Sequence, residues 1–121
     1  MLTAILVMLS ASVLGKELKP DRVISVTSLE HREGKAEKSY EVSAKAWYGK
    51  DTKSEPTLYY KLACGTGAAY LEVGSRYEAQ EAYSKDGLKT LVIFDVKSDP
   101  NDIMIIGCDV TSVKTAEDSK R

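Results

Sequence analysis

Side chains that suit proton transfer are few and scattered in this chain. His31, the one histidine, lies in a charged segment at residues 30–33, where a general base would be exposed and weakly oriented. Glu72, Glu78 and Glu81 are the candidates for a carboxylate pair of the glycosidase kind. Glu78 and Glu81 are three residues apart, however, and on a strand such side chains point to opposite faces. We therefore expect solvated side chains here and no enzyme active site.

A glycine-rich segment, Cys64-Gly65-Thr66-Gly67, invites comparison with phosphate-binding loops. No Lys-Ser/Thr pair follows it and no clear helix begins there, so both requirements of such a loop are missing. The expected structure is a turn or β-bulge beside a disulfide. One histidine and two cysteines without Cys-x-x-Cys spacing do not make a zinc site of the usual kind. We expect neither a metal nor a cofactor.

The two cysteines, Cys64 and Cys108, form an even pair. In an exported protein, such a pair indicates one disulfide. Each cysteine lies in an apolar strand pattern and shares a face with an apolar neighbour two residues before it, Leu62 or Ile106. The sulfurs can therefore meet between layers. Two free buried thiols are the alternative if the compartment is reducing.

Period-two hydrophobic alternation runs through most of the chain and predicts strands. The clearest example is residues 38–48, where one face carries Tyr40, Val42, Ala44, Ala46 and Tyr48. Further strands are expected at residues 22–29, 57–64, 77–83, 88–96 and 103–113. Residues 88–96 are apolar on both faces, which indicates a strand buried on both sides. Residues 68–73 fit either one helical turn or a short strand.

Short turns join these strands, including an Asp-Gly hairpin turn at residues 84–87 and a second turn at residues 98–102. Five or six strands with at most one helical turn predict an antiparallel all-β fold. We expect a small barrel of OB- or SH3-like layout, with a two-layer β-sandwich as the alternative.

One pair of strands predicts a surface patch. If Tyr48 lies opposite Leu58 in a hairpin, the outward face carries Trp47 beside Tyr59 and Lys45 beside Lys61. Two aromatic rings flanked by lysines would suit contact with a protein, a peptide or a glycan. The alternative is that the rings pack against side chains of neighbouring strands, or that the polar loop or the tail covers them. The first interpretation expects Tyr40, Tyr48 and Tyr60 to be buried and Trp47 and Tyr59 to be exposed.

The chain begins with an apolar segment, residues 1–15, which is too short for a membrane span. Its length and the small residues at its end are typical of a secretory signal, although no Lys or Arg precedes the apolar run. We expect cleavage, a single β domain at residues 16–113 and a flexible polar tail at residues 114–121. The mature chain would be secreted or periplasmic, without an integral membrane span.

The formal net charge of −1 gives no electrostatic reason to bind nucleic acid. The expected function is an exported, non-enzymatic binding or accessory module whose partner is a protein, peptide or glycan. One alternative is an inhibitor that presents residues 49–56 or 65–73 to an extracellular hydrolase. Another is a small carboxylate-dependent hydrolase.

Overall fold

The computed structural model describes residues 18–32, 40–99 and 101–116. These residues form six β-strands and one short 3-10 helix. The elements are β1 (Arg22–His31), β2 (Tyr40–Tyr48), β3 (Leu58–Cys64), the short helix (Thr66–Tyr70), β4 (Arg76–Tyr83), β5 (Lys89–Asp99) and β6 (Asp102–Thr115). The open question about residues 68–73 is thus resolved in favour of a helical turn.

The strands close into a barrel in the order β1-β2-β3-β6-β5-β4, and β4 pairs with β1. Every neighbouring pair is antiparallel. The predicted small antiparallel barrel is confirmed, and the expected count of five or six strands is six. Closure removes the exposed sheet edges that an open sandwich would carry.

Alternating side chains of the strands fill the barrel interior, as the period-two pattern predicts. On β2, Val42, Ala44 and Ala46 are buried. The prediction of a buried Tyr48 is wrong, because its side chain is 56 % exposed. The predicted register was two residues off: Ala46, not Tyr48, lies opposite Leu58. Tyr48 therefore extends past the end of β3 to the rim of the barrel.

Strand β5 is buried on both sides, as predicted for residues 88–96. Leu91 and Ile93 belong to the main core, while Val92 and Phe94 form a second apolar cluster. Leu18, from the segment before β1, packs against this second cluster. Leu88 was expected to belong to the buried run, but it precedes β5 and is exposed.

The predicted Asp-Gly turn connects β4 and β5. Gly87 has a φ of +80°, a conformation that costs glycine little. Its N–H donates to the carbonyl oxygen of Ser84 at 2.9 Å, and the N–H of Ser84 donates to the carbonyl oxygen of Leu88 at 2.9 Å. Between β5 and β6, Asp99 Oδ1 accepts hydrogen bonds from backbone N–H groups of Asn101 and Asp102. Both predicted turns are confirmed.

The short helix packs against the barrel through buried Ala68 and, just after its end, Leu71. Its close approach depends on Gly67. A Cβ atom at that position would lie 2.8 Å from Ile106 Cγ2 and 3.3 Å from Met104 Cε. Gly67 therefore allows close packing between the short helix and β6.

Cys64 on β3 and Cys108 on β6 are joined by a disulfide, with a Cα–Cα distance of 4.6 Å. Both residues are fully buried in the main core. The predicted pairing is confirmed, and it links two strands that are neighbours in the barrel wall.

Two predicted boundaries, the end of the signal segment and the end of the β domain, fall near the ends of the described residues. The predicted signal segment, residues 1–15, lies outside the described residues. Strand β6 extends to Thr115, and the N–H of Ala116 donates to the carbonyl oxygen of Thr57 at 3.0 Å. Residues 114–116 therefore belong to the β domain rather than to a tail. Within the described part of the chain, no helix has the length and apolar character to cross a membrane.

Candidate binding site

A groove of about 440 Å³ opens in the barrel wall where β4 and β5 separate. The two strands pair from Tyr83↔Lys89 to Ala79↔Ile93. Beyond that point, residues 76–78 of β4 pair on their other side with β1. Strands β4 and β5 are therefore hydrogen-bonded along one part of their length and separated along the other, where the groove opens.

A β-bulge on β5 lies directly beside this separation. The register of β5 with β6 shifts between Ile93 and Val96, and Asp95, within the shift, has a φ of +57°. Aspartate is one of the few residues other than glycine that adopt this left-handed conformation readily. A bulge bends its strand and redirects side chains. Here it places Asp95 in the wall of the groove.

The groove combines aromatic, acidic and basic side chains. Tyr70, at the end of the short helix, is 47 % exposed, whereas Phe94 is buried apart from the part that lines the groove. The full set of lining residues is Tyr70, Tyr77 and Phe94 with Glu72, Glu78 and Asp95, and Arg76 and Lys97 with Ser75. Three aromatic residues and six polar or charged ones therefore line the groove, a more polar lining than most small-ligand sites have.

Two of these lining residues also contact the loop at residues 49–57. Lys50 Nζ lies 3.6 Å from Glu78 Oε2, and Arg76 Nη1 donates to Thr52 Oγ1 at 2.7 Å. The Arg76 guanidinium also lies 5.4 Å from the centre of the Trp47 ring. The groove and the loop are therefore joined by direct side-chain contacts.

Trp47 is only 4 % exposed, so the prediction of an exposed ring is wrong. Its side chain does lie outside the main core, as the alternation predicted. The loop covers it, however: indole Nε1 donates to the carbonyl oxygen of Ser54 at 2.8 Å. Lys45 Nζ and the Arg76 guanidinium lie over the ring. The alternative interpretation, in which the polar loop covers the ring, is the correct one.

The remaining residues of the predicted patch stay nearer the surface. Lys45 lies opposite Tyr59, and Ser43 lies opposite Lys61. The predicted Trp47–Tyr59 and Lys45–Lys61 pairs are wrong because the register was two residues off. Tyr59 and Lys61 line a depression of about 240 Å³. A binding role for Lys45, Tyr59 and Lys61 stays a prediction.

The candidate residues for proton transfer fall in three different places. Glu72 and Glu78 line the same groove, which sequence spacing did not predict. His31 lies at the end of β1 with its ring centre 4.7 Å from that of Tyr40. Glu81 lies on β4 beyond the groove. Among the described residues, no cluster of three acidic, histidine or cysteine side chains is suited to hold a metal ion.

Glu81 belongs to a polar network near one end of the barrel. Arg22 Nη1 donates to the Tyr60 hydroxyl at 2.7 Å and lies 3.1 Å from Glu81 Oε2. The Tyr60 hydroxyl donates a short hydrogen bond to Glu81, and Lys89 Nζ lies 3.7 Å from Glu81 Oε1. Burial and the hydrogen bond to Glu81 raise the pKa of Tyr60 well above its usual range. Because these groups satisfy one another, their role is structural.

Sequence reasoning missed Tyr70, Arg76, Asp95 and Lys97 as groove residues. A signal was present for one of them. Asp95 is the one charged residue between Leu91 and Val96, inside a run predicted to be buried on both faces. A charge in such a run is a sign of a bulge or bend, because burying an unpaired carboxylate is unfavourable.

Together, the fold and groove define a disulfide-linked, six-stranded antiparallel β-barrel with a mixed aromatic and polar groove in its wall. Comparison of the chain with protein-family models, with curated proteins and with solved structures finds no match in any of the three.

Proposed function

We propose that this chain is an exported, non-enzymatic binding module, with the groove between β4 and β5 as its ligand site. The observation that carries the proposal is the bulge at Asp95. The bulge lies where β4 and β5 separate in an otherwise closed barrel, and the charged side chain of Asp95 lines the opening. Sites on strands of a rigid scaffold hold their side chains in place before the ligand arrives.

Export is part of the proposal and has two supports. The disulfide between Cys64 and Cys108 is typical of oxidising compartments. The apolar segment at residues 1–15 has the features of a secretory signal. Mass spectrometry of the native protein should give an N-terminus between Ser12 and Lys16. An intact Met1 would contradict export by this route.

The inhibitor alternative has weaker support. An inhibitory loop should project toward its target enzyme, but both candidate loops pack on the barrel. Residues 49–56 cover Trp47, and residues 65–73 contain the buried Ala68 and Leu71.

A hydrolase remains the second candidate because Glu72 and Glu78 share the groove. One would have to act as an acid and the other as a base or nucleophile. Glu78, however, is ion-paired with Lys50. Glu72 accepts a hydrogen bond from Ser75 Oγ at 3.3 Å in an exposed position. Both carboxylates are thus engaged by neighbouring side chains of the chain itself, which favours a binding role over hydrolysis.

The test uses the mature protein coupled to beads and exposed to envelope and medium fractions of its source. Wild-type protein should retain a ligand that Tyr70→Ala protein does not. Tyr83→Ala is the matched control, since Tyr83 is also an exposed tyrosine (52 %) but lies outside the groove. Mass spectrometry of the eluted ligand should show it unmodified.

Two outcomes would contradict the proposal. Equal retention by wild-type and Tyr70→Ala protein would exclude the groove as the site. Release of a cleaved ligand, with cleavage lost in Glu72→Gln or Glu78→Gln protein, would establish the hydrolase instead.

A further inference from the structure

We infer that the ligand of the groove is a neutral glycan, with one pyranose ring stacked on Tyr70 and its hydroxyls bound by Asp95 and Lys97. This inference rests on the proposed function, since it names the ligand class of the same groove. It follows from the balance of charges, the position of the aromatic ring and the shape of the strand edge.

The charges of the groove favour a neutral ligand. Three carboxylates line it, from Glu72, Glu78 and Asp95, along with the cations Arg76 and Lys97. Lys50, ion-paired to Glu78, brings the cations to three as well. A site with balanced charges has little long-range attraction for either an anion or a cation. It does offer strong hydrogen-bond acceptors and donors side by side, because charged groups make the stronger hydrogen bonds.

Asp95 and Lys97 are the polar groups available for such a ligand. Arg76 is held by Thr52, and Glu78 is held by Lys50. Asp95 and Lys97 form no side-chain hydrogen bond or ion pair with the described parts of the chain. A carboxylate only accepts and an ammonium only donates. A hydroxyl does both, so neighbouring hydroxyls of a sugar can satisfy the two groups together.

The aromatic side chains of the groove suit the apolar C–H face of a sugar ring. Tyr70 is 47 % exposed at the groove, and the buried ring of Phe94 contributes to the lining. A pyranose has a C–H face that can lie on an aromatic ring, while its hydroxyls reach polar groups at the ring's edge. Tyrosine combines an apolar ring with a polar hydroxyl, which suits such amphipathic contacts.

The strand edge disfavours an extended peptide as the ligand. A peptide that adds to a sheet needs a regular row of backbone donors and acceptors. The bulge interrupts that row on β5 between Ile93 and Val96. On β4 only residues 76–78 lie beyond the last pair with β5. A ligand recognised by side chains fits this edge better than one recognised by backbone pairing.

The experiment is an NMR titration of ¹⁵N-labelled mature protein with defined probes. The neutral probes are cello-, xylo-, malto- and chito-oligosaccharides. An oligogalacturonate provides the anionic control and a neutral extended hexapeptide the peptide control. We expect one neutral glycan to shift the amide signals of Tyr70, Asp95 and Lys97.

Variants locate the binding. Tyr70→Ala and Asp95→Asn should each weaken binding of that glycan by about tenfold or more, the scale of an important contact residue. Asparagine tolerates the left-handed backbone at position 95, so the fold is preserved. Tyr83→Ala and Asp86→Asn, which lie outside the groove, should leave affinity unchanged.

The outcomes separate this inference from the proposed function. If the hexapeptide or the oligogalacturonate binds the groove and no neutral glycan does, the proposed function stands and the glycan inference is wrong. If a glycan binds with equal affinity in Tyr70→Ala and Asp95→Asn, the inference is also wrong. If no probe shifts the groove signals, the glycan inference is wrong, and failure of the bead experiment would then end the binding proposal as well.

Discussion

Indole Nε1 of Trp47 and the carbonyl oxygen of Ser54 are joined by a hydrogen bond of 2.8 Å. Through this contact, residues 49–57 fold back over the outer face of β2 and cover the only tryptophan of the chain. The loop also contacts the groove through Arg76 and Glu78. A side chain on the outer face of the barrel is therefore as well hidden as a core residue.

Burial of Trp47 makes its fluorescence a direct check on the loop. We expect a blue-shifted emission that iodide does not quench in the folded protein, because the ring has little contact with water. Protein unfolded in guanidinium serves as the reference for a fully accessible ring. A red-shifted emission that iodide quenches in folded protein would mean that the loop does not cover Trp47.

The side-chain contacts of Lys50 and Thr52 should determine how closely residues 49–57 cover the Trp47 ring. Lys50→Met and Thr52→Val remove the contacts to Glu78 and Arg76, so the double variant should show increased iodide quenching. Stability should change by less than about 1 kcal/mol, since exposed pairs contribute little. Lys53→Met is the matched control, because at position 53 the backbone N–H makes the contact, to Asp51. Equal quenching in both proteins would show that these contacts do not hold the loop.

The disulfide should account for much of the stability of the fold. Its two cysteines are 44 residues apart, and in the chain-entropy model closing such a loop contributes about 4 kcal/mol. Chemical denaturation with and without reductant should show a loss of that order. The Cys64→Ala/Cys108→Ala variant should be destabilised and insensitive to reductant. A wild-type midpoint unchanged by complete reduction would contradict this estimate.

Tyr60 should make the fold sensitive to high pH. Its pKa is raised in the folded state by burial and by the hydrogen bond to Glu81. The unfolded chain therefore loses the Tyr60 proton first, at a pH of about 10. Stability from this group is fully present below that pH and falls as pH rises further, by about 1.4 kcal/mol per pH unit.

Substitution of Tyr60 by Phe isolates this contribution from those of other groups. Tyr60→Phe protein should be less stable near neutral pH, because Arg22 and Glu81 lose a hydrogen-bond partner. Its stability should fall less steeply than that of wild-type protein above pH of about 10. Urea denaturation across this range measures both slopes. Parallel slopes would show that Tyr60 does not titrate differently in the folded chain.

A side chain at position 67 should destabilise the fold as long as Ile106 keeps its present position. Gly67→Ala places a methyl group 2.8 Å from Ile106 Cγ2, and overpacking of this kind costs about 1–3 kcal/mol. In an Ile106→Ala background the same change should cost much less, because the clashing atom is gone. A double-mutant cycle from denaturation curves measures the difference. Additive effects would mean that the helix shifts freely away from β6.

Strand existence, strand faces and the disulfide were all predictable from the sequence. Alternation on β2 identified the inward Val42, Ala44 and Ala46, and the shared parity of Cys64 and Cys108 identified the bond between β3 and β6. The apolar run at residues 88–96 identified the strand with two buried faces. These features were predictable because side-chain direction repeats every two residues, so local spacing alone assigns a face.

The tertiary structure decided the features that period-two alternation in the sequence does not specify: the burial of outward side chains, the strand register and the groove. The direction of Trp47 follows from its position, but its burial depends on where residues 49–57 fold. The hairpin register differs by two residues from the predicted one, a change that preserves each face but alters which side chains are neighbours. The groove brings Glu72, Glu78 and Tyr70 beside the bulge at Asp95 on β5. Residues that are distant in the chain become neighbours only when the barrel closes. Closure sets the separation of the strands and the positions of the loops, and neither follows from local spacing.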